Sequence, residues 1–207
     1  MINRKKSLFV LGDSISLHYG PYLFKMLDGV FELSRKEGEK EALRDLNVSI
    51  GGNGGDSEKV LEYLNELFHS GKLDYDFLLL NCGLHDIKIY PQAGEKQVGF
   101  SKYKENLSAV VSLLEKSKVR PIWVRSTPVN DLVHSSRTND FVRYACDLDT
   151  YNGAADKIME ESGILTIDLY TFTKNLGEDI FCDHVHFKDE IRALQAAFIA
   201  GHLFNLE

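Results

Sequence analysis

Short apolar runs alternate along the chain with longer segments in which apolar residues recur every three or four positions. Runs of strand-favouring residues occupy positions 7–11, 31–33, 77–80, 121–125 and 164–168. A period of three to four residues places apolar side chains on one face of a helix. Segments with this period occur around positions 22–27, 60–68, 103–114, 151–159 and 191–199. The pattern therefore predicts strands and helices that alternate along the whole chain.

This alternation indicates the fold class. Parallel strands that are joined through helices require right-handed crossovers, which place helices on both faces of the sheet. We expect an α/β fold, a three-layer αβα sandwich with a parallel sheet of about five strands. No internal repeat and no Gly/Ser-rich or Pro-rich linker divides the 207 residues. The prediction is therefore one domain over residues 1–207.

The charge balance limits the partners that the chain can have. Its formal net charge is -7, and the basic clusters at positions 4–6 and 35–36 are short. Nucleic acid and anionic membranes require clustered Lys and Arg, and no stretch approaches the apolar length of a membrane span. The three cysteines have neither a disulfide-framework pattern nor a metal-ligand spacing. We expect no nucleic-acid partner, no membrane partner, no cofactor and no metal, while the oligomeric state stays open.

The N-terminal segment resembles the start of a signal peptide only superficially. Basic residues at 4–6 precede the apolar run at 7–11, but this run is too short for such a signal. Cleavage after it would also remove the first predicted strand. The sequence as it stands predicts a cytoplasmic protein, or a secreted or periplasmic one if a signal sequence has been removed.

Four predicted strand ends carry residues that are unusual at the end of a strand. Ser14 follows the first strand, a glycine-rich segment occupies 51–57, His85 and Asp86 follow a buried strand, and the turn at 127–128 follows the next one. The carboxyl ends of parallel strands meet at one edge of the sheet, which is where ligands bind. We therefore expect these residues to lie close together.

Ser14 is the candidate nucleophile. A serine hydroxyl attacks efficiently when a base removes its proton and an acid fixes the orientation of that base. The segment 183–186 supplies both groups within one loop, because the carboxylate of Asp183 can reach the imidazole of His186. His186 would then face Ser14. Donors for the oxyanion are expected from the backbone amide at Ser14, a glycine amide near Gly54 and the side chain at position 85.

These segments together resemble the sequence blocks of the GDSL-type, or SGNH, hydrolases, whose fold is flavodoxin-like. Gly12-Asp13-Ser14-Ile15 is similar to the nucleophile block, and Asp183-His184-Val185-His186 is similar to the Asp-x-x-His block. The glycine segment resembles the second block, and Thr127-Pro128-Val129 resembles the turn that follows the fourth strand. The resemblance spans the whole chain in the family's order. It implies that Ser14 is the nucleophile, His186 the base and Asp183 the acid that orients the base.

Two blocks differ from the family pattern. The third block is usually Gly-x-Asn-Asp, and its asparagine donates to the oxyanion, whereas His85 stands in that position here. A histidine can still donate through a ring nitrogen. In the second block, the spacing from Asn47 favours Gly52 as the oxyanion donor and the spacing to the helix near Ser57 favours Gly54. We prefer Gly54.

The resemblance implies a serine esterase that removes a short acyl group, O-acetyl in the first instance, from a carbohydrate through an acyl-enzyme on Ser14. The substrate would be a small-molecule or saccharide ester, and the polar loop with His134 and Arg137 is expected to contribute to its binding. One alternative is an acyl hydrolase for lipids or thioesters, which would need an apolar groove. Another is a non-catalytic carbohydrate-binding module of the same fold, suggested by the altered third block. A flavin-binding protein of flavodoxin-like fold is a more distant alternative.

Overall fold

Five parallel strands form the central sheet of the computed structural model, which describes residues 4–206. They are β1 (Lys6–Leu11), β2 (Phe31–Arg35), β3 (Phe77–Leu80), β4 (Arg120–Val124) and β5 (Leu165–Ile167). Their order across the sheet is β2-β1-β3-β4-β5, and every neighbouring pair is parallel. In this register Leu8 of β1 lies between Leu33 of β2 and Phe77 of β3. The predicted parallel sheet is confirmed.

Helices cover both faces of this sheet. The described part of the chain contains α1 (Ser14–Leu27), α2 (Glu39–Ala42), α3 (Ser57–His69), α4 (Phe100–Glu115), α5 (Asp131–Arg137), α6 (Ala145–Glu161), α7 (Leu169–Lys174) and α8 (Asp189–Leu203), and a short 3-10 helix, Phe204–Leu206, follows α8. Helices α1, α7 and α8 pack together, and α3, α4 and α6 form the second layer. The three-layer αβα prediction is confirmed. Within residues 4–206, no helix combines the length and the apolar character that a membrane-spanning segment requires.

The contact between α1 and α8 joins the two ends of the chain. The two helices pack side by side on one face of the sheet, and Tyr22 Oη donates a hydrogen bond to Asp189 Oδ2 at 2.6 Å. Because α1 follows β1 directly and α8 follows the segment 183–186, this contact places both segments at one edge of the sheet.

The central position of β3 follows from its sequence. Its four residues, Phe-Leu-Leu-Leu, are all buried, as expected for a strand that is covered on both faces. Strands of this kind contribute side chains to the cores on both sides of the sheet, so their truncation leaves a cavity in the protein interior.

We expect Leu78→Ala to lower the free energy of unfolding by about 2–5 kcal/mol, because the fully buried side chain leaves a cavity that its neighbours fill only in part. Leu132→Ala is the matched control, since Leu132 is 81% exposed, and it should change the free energy by less than about 0.5 kcal/mol. Chemical denaturation measures both variants. Equal effects for the two would contradict the central position of β3.

The segment between β4 and α6 differs from the sequence prediction. Residues 130–137 were expected to form a loop, but most of them form the short helix α5. The side chain of Asn130 caps this helix and accepts hydrogen bonds from the amides of Leu132 and Val133, each at 3.1 Å. A helix of seven residues is too short to show an apolar period in the sequence. Residues 87–99 form a loop that is held by bridges of Ile89 to Lys96 and to Val142.

Candidate active site

Ser14 lies where β1 ends and α1 begins. In the sheet, β2 lies on one side of β1 and β3 lies on the other, so the strand order reverses at β1. The carboxyl end of β1 is therefore a topological switch point, which is where α/β proteins bind ligands. Asp13 caps α1, and its Oδ1 accepts a hydrogen bond from the amide of Ile15 at 2.9 Å. This cap makes Ser14 the first residue of the helix. Its amide therefore belongs to the first turn, whose N–H groups have no acceptor within the helix.

A chain of short hydrogen bonds joins Ser14, His186 and Asp183. The Oγ of Ser14 lies 2.8 Å from Nε2 of His186, and Nδ1 of His186 lies 2.7 Å from Oδ2 of Asp183. In a neutral imidazole Nδ1–H donates to the carboxylate, which leaves Nε2 free to accept the serine proton. The structure thus brings together the three residues that the sequence predicted as nucleophile, base and acid, although 172 positions separate Ser14 from His186.

Asp183 is held in its ionised form. Its Oδ1 accepts hydrogen bonds from the amides of Val185 at 2.9 Å and His186 at 2.7 Å. Partial burial acts to raise the pKa of Asp183, but the hydrogen bond and charge of His186 and the two backbone amides hold it well below its usual range. The carboxylate is therefore available at neutral pH to orient the imidazole.

His85 is buried near the hydrogen-bonded residues Ser14, His186 and Asp183, and one of its ring nitrogens is free. Its Nδ1 lies 3.1 Å from Oγ of Ser49, and its buried Nε2 has no hydrogen-bond partner among the described residues. Burial, followed by the charges of Lys88 and Arg143, lowers the pKa of His85 well below its usual value, so the ring is neutral. When the hydroxyl of Ser49 donates to Nδ1, the single ring proton lies on Nε2. His85 then presents one unused N–H donor.

The glycine segment contacts the turn that carries Ser14, and this contact corrects the prediction that the amide of Gly54 donates to the oxyanion. The amide of Gly54 donates a hydrogen bond to the carbonyl of Gly12 at 2.8 Å, so its N–H is already in use and does not serve the oxyanion. Gly52 packs against the backbone of Lys36 and Glu39, where a Cβ atom would come within 3.1 Å of both. Spacing alone identified glycines that must be small, but it did not show which of their amides are free.

Two polar residues hold the neighbouring loops: Asn53, which sequence analysis did not single out, and Asp86, which it placed at a strand end without a role. Asn53 donates to the carbonyls of Leu46 and Val48 and accepts from the amide of Gly55 at 3.0 Å. The buried carboxyl of Asp86 accepts from the amide of Ser57, at 2.9 and 3.1 Å. The only sequence signal for Asn53 is its position as the polar residue among four glycines. Asn53 therefore holds the glycine segment against the residues that precede it, and Asp86 holds the end of that segment against the third block.

The predicted substrate-binding residues lie beside the loop that carries Asp183. Nη1 of Arg137 donates to the carbonyls of Phe181 at 3.3 Å and Asp183 at 2.9 Å, so part of this guanidinium anchors the loop. His134 is buried, and its ring centroid lies 5.0 Å from that of His184. The participation of His134 and Arg137 in substrate binding stays a prediction.

The other imidazoles near His186 are neutral. The ring centroid of His18 lies 5.0 Å from that of His186, and His184 lies at 5.8 Å. Burial, more than the surrounding charges, lowers the pKa of His18, His134 and His184 to about 4. None of these rings therefore adds a positive charge that would oppose an imidazolium on His186.

Asp183, His184 and His186 could also be considered as metal ligands. One ligand atom from each lies within 4.8 Å of the others. Both nitrogens of His186 are engaged, however, one by Asp183 and the other by Ser14. A metal bound to this imidazole would break one of those hydrogen bonds. The absence of a metal stays a prediction.

Two buried cations near the site were not identified from the sequence. Nζ of Lys88 donates to the carbonyl of Asn47, and Nε of Arg143 donates to the carbonyl of Leu84 at 2.7 Å. Both lie over the ring of Phe141, Lys88 Nζ at 4.7 Å and Arg143 Cζ at 4.8 Å from its centroid. They come from two separate loops that have no periodic pattern, and the one available signal is that each stands between apolar neighbours.

Comparison with solved structures shows that this fold is the fold of GDSL-type and SGNH hydrolases. An acetyl xylan esterase, AlAXEase, is 16% identical with a TM-score of 0.68, and the alignment covers 95% of this chain and 99% of that one. A lipase/acylhydrolase from Enterococcus faecalis is 14% identical with a TM-score of 0.67, over 97% and 96% of the two chains. A member of the lipolytic G-D-S-L family from Veillonella parvula DSM 2008 is 15% identical with a TM-score of 0.65, over 97% and 99%.

No family model and no curated protein matches the sequence. At the identities of the structural neighbours, the similarity establishes the fold. The chemistry therefore has to be argued from the residues of the site.

Proposed function

We propose that the protein is a serine ester hydrolase of the SGNH type, with Ser14 as nucleophile, His186 as base and Asp183 as orienting acid. The observation that carries this proposal is the hydrogen-bonded chain from Ser14 Oγ through the imidazole to the Asp183 carboxylate, at 2.8 and 2.7 Å. The shared fold supports it, because hydrolases occur among the structural neighbours.

The geometry supports a two-step reaction through an acyl-enzyme. Ser14 Oγ attacks the ester carbonyl carbon while His186 Nε2 takes its proton, and the resulting imidazolium is stabilised by Asp183. The tetrahedral intermediate collapses, the C–O bond to the alcohol breaks, and His186 returns the proton to the leaving oxygen. Water then attacks the acyl-enzyme with the same base, which releases the acid and restores Ser14.

The oxyanion that forms in each step needs donors in fixed positions. We assign the amide of Ser14, which lies in the first turn of α1, and the Nε2–H of His85. The positive end of the α1 dipole adds to this stabilisation. His85 would thus take the part of the asparagine in the third block of the family, with Ser49 fixing its tautomer.

We expect His85→Ala to lower kcat by about 10²-fold to 10³-fold, because the oxyanion loses one donor. His85→Asn should keep most of the activity, since its amide also donates. Because the ring of His85 is neutral, the ratio of wild-type to His85→Asn activity should stay constant from about pH 6 to about pH 9. Initial rates with p-nitrophenyl acetate measure both effects. Equal loss in the two variants would show that His85 has only a structural role.

For the substrate we propose a short acyl ester, O-acetyl in the first instance, on a carbohydrate. Two observations support this. The buried polar side chains His85, His134 and Arg143 lie on loops that adjoin the hydrogen-bonded residues, with Arg143 bonded to Leu84 and His134 against His184, and one structural neighbour is named an acetyl xylan esterase. Acetate release from acetylated oligosaccharides, compared with hydrolysis of p-nitrophenyl octanoate, tests the proposal. Preference for octanoate would favour the lipid acyl hydrolase, and a folded protein whose Ser14 never reacts with a fluorophosphonate would favour the binding module.

A further inference from the structure

Four basic side chains surround the ring of Phe141. The cations of Lys88 and Arg143 lie 4.7 and 4.8 Å from its centroid, and the rings of His134 and His184 lie at 5.7 and 5.5 Å. All five residues are buried. We call this group the Phe141 cluster.

The two cations of the Phe141 cluster form no ion pair with a carboxylate of the described residues. Within residues 4–206, neither Lys88 nor Arg143 forms a salt bridge, and their hydrogen bonds go to backbone carbonyls. Nη1 of Arg143, both ring nitrogens of His134 and Nδ1 of His184 are buried and have no hydrogen-bond partner in the part of the chain that the structure describes. Buried cations without a counter-ion are unfavourable, and unpaired donors add to that cost. A cluster with these properties is suited to an anion.

The Phe141 cluster lies next to the reacting groups. Arg143 is bonded to the carbonyl of Leu84, the residue before His85. The ring of His184 lies 5.8 Å from that of His186. Asp13, the residue before Ser14, is the acid whose charge acts most strongly on Arg143. A group bound in the cluster would therefore lie on the same side of the site as an ester held at Ser14.

We propose that the Phe141 cluster is a subsite for a carboxylate of the substrate, so that the enzyme acts on short esters that carry a carboxylate near the scissile bond. Acylated hydroxy acids, acylated sugar acids and half-esters of dicarboxylic acids have this chemistry. The planar guanidinium of Arg143 matches the two oxygens of a carboxylate, and the face of Phe141 suits the carbon next to it. This proposal rests on the proposed ester hydrolase function and names its substrate class.

The protonation of Lys88 supports this assignment and supplies a second readout. Burial, followed by the charge of Arg143, lowers the pKa of Lys88 to about 7, while Asp13, Asp45 and Asp56 act in the opposite direction. A bound anion favours the protonated form, so binding is strongest where Lys88 is charged. KM for a carboxylate ester should therefore rise as the pH increases through about 7, and KM for a neutral ester should not.

Two matched substrate pairs test the proposal on the wild-type protein. For the acyl side, p-nitrophenyl hemisuccinate is compared with its neutral methyl ester, after subtraction of spontaneous hydrolysis. For the alcohol side, 2-acetoxypropanoate is compared with 2-acetoxypropanamide by acetate release. We expect kcat/KM to be roughly 10-fold to 100-fold higher for the charged member of one pair. Equal rates within both pairs would overturn the subsite.

Substitutions in the Phe141 cluster test whether this cluster causes the preference for the charged substrate. Lys88→Met and Arg143→Met should bring the ratio of charged to neutral kcat/KM close to one. Lys116→Met removes an exposed cation at the end of α4 and should leave the ratio unchanged. If Arg143→Met does not fold, Lys88→Met and the wild-type comparison decide the matter. A preference that survives Lys88→Met, and also Arg143→Met where that variant folds, would place the anion elsewhere.

A binding measurement separates this proposal from the proposed function. Succinate or lactate should raise the Tm of the wild type and should raise that of Lys88→Met much less, whether or not the protein hydrolyses esters. If Ser14 does not react with a fluorophosphonate but these acids still stabilise the protein, the hydrolase proposal fails and the carboxylate subsite stands. Stabilisation by inorganic phosphate or sulfate and not by the acids would overturn the assignment of a carboxylate.

Discussion

We expect Ser14→Ala to lower kcat for p-nitrophenyl acetate by about 10⁴-fold or more with the fold retained, which is the largest effect expected from any single substitution. The variant has no nucleophile, and the hydrogen bond to His186 Nε2 at 2.8 Å is lost. The residual rate comes from the oxyanion donors and from substrate binding. Initial rates at saturating ester, with circular dichroism to confirm folding, measure this effect.

Ser135→Ala is the matched control for the nucleophile. Ser135 is exposed on α5, and its hydroxyl donates a hydrogen bond to the carbonyl of Leu132 at 3.3 Å. The control should retain full activity and should react with a fluorophosphonate as the wild type does, whereas Ser14→Ala should not react. A Ser14→Ala protein that still hydrolyses the ester would remove the basis of the proposed mechanism.

Asp183→Asn should lower kcat by about 10³-fold to 10⁴-fold. An amide nitrogen at this position would donate to Nδ1 and so favour the imidazole tautomer with its proton on Nε2. That tautomer cannot accept the proton of Ser14. Asp28→Asn, at an exposed acid after α1, is the control and should be fully active. Activity of Asp183→Asn within a few-fold of the control would show that Asp183 does not orient the base.

The difference in stability between the wild type and Asp183→Asn should depend on pH. The pKa of Asp183 is lower in the folded protein than in the unfolded chain, so its ionised form stabilises the fold above the unfolded pKa of about 4. This contribution is lost as the pH falls from that value towards the lower folded pKa. Wild type should therefore be more stable than Asp183→Asn at neutral pH, and the difference should narrow below about pH 4. A difference that does not change with pH would contradict the ionised state of Asp183.

The fold and the hydrogen-bonded residues Ser14, His186 and Asp183 could be predicted for the same reason, because both are marked by local patterns in the sequence. The apolar runs mark the strands, the glycine before Asp13 and Ser14 marks a turn, and Asp183 stands three positions before His186. Patterns of this kind are independent of the partners that the residues meet in the folded chain.

What the sequence did not predict depends on contacts between distant loops. Lys88 and Arg143 are separated by 55 positions in the sequence. In the folded chain both cations lie over the ring of Phe141. The assignment of Gly54 was incorrect because it rested on the spacing to the helix near Ser57, and spacing gives only the position of a glycine along the chain. It does not show that the amide is already bonded to Gly12. Free and occupied amides can be distinguished only in the folded chain.

The packing of α1 against α8 means that the catalytic groups meet only when the C-terminal part of the chain has docked. A growing or refolding chain can pair β1, β2 and β3 and expose Ser14 at the switch point, yet it has a nucleophile without its base. The base, His186, lies 172 positions further along the sequence, in the short segment before α8 that begins at Asp183. Recovery of esterase activity should therefore report on the docking of the last helix. Far-UV circular dichroism should recover earlier, because most of the sheet and its helices precede that step.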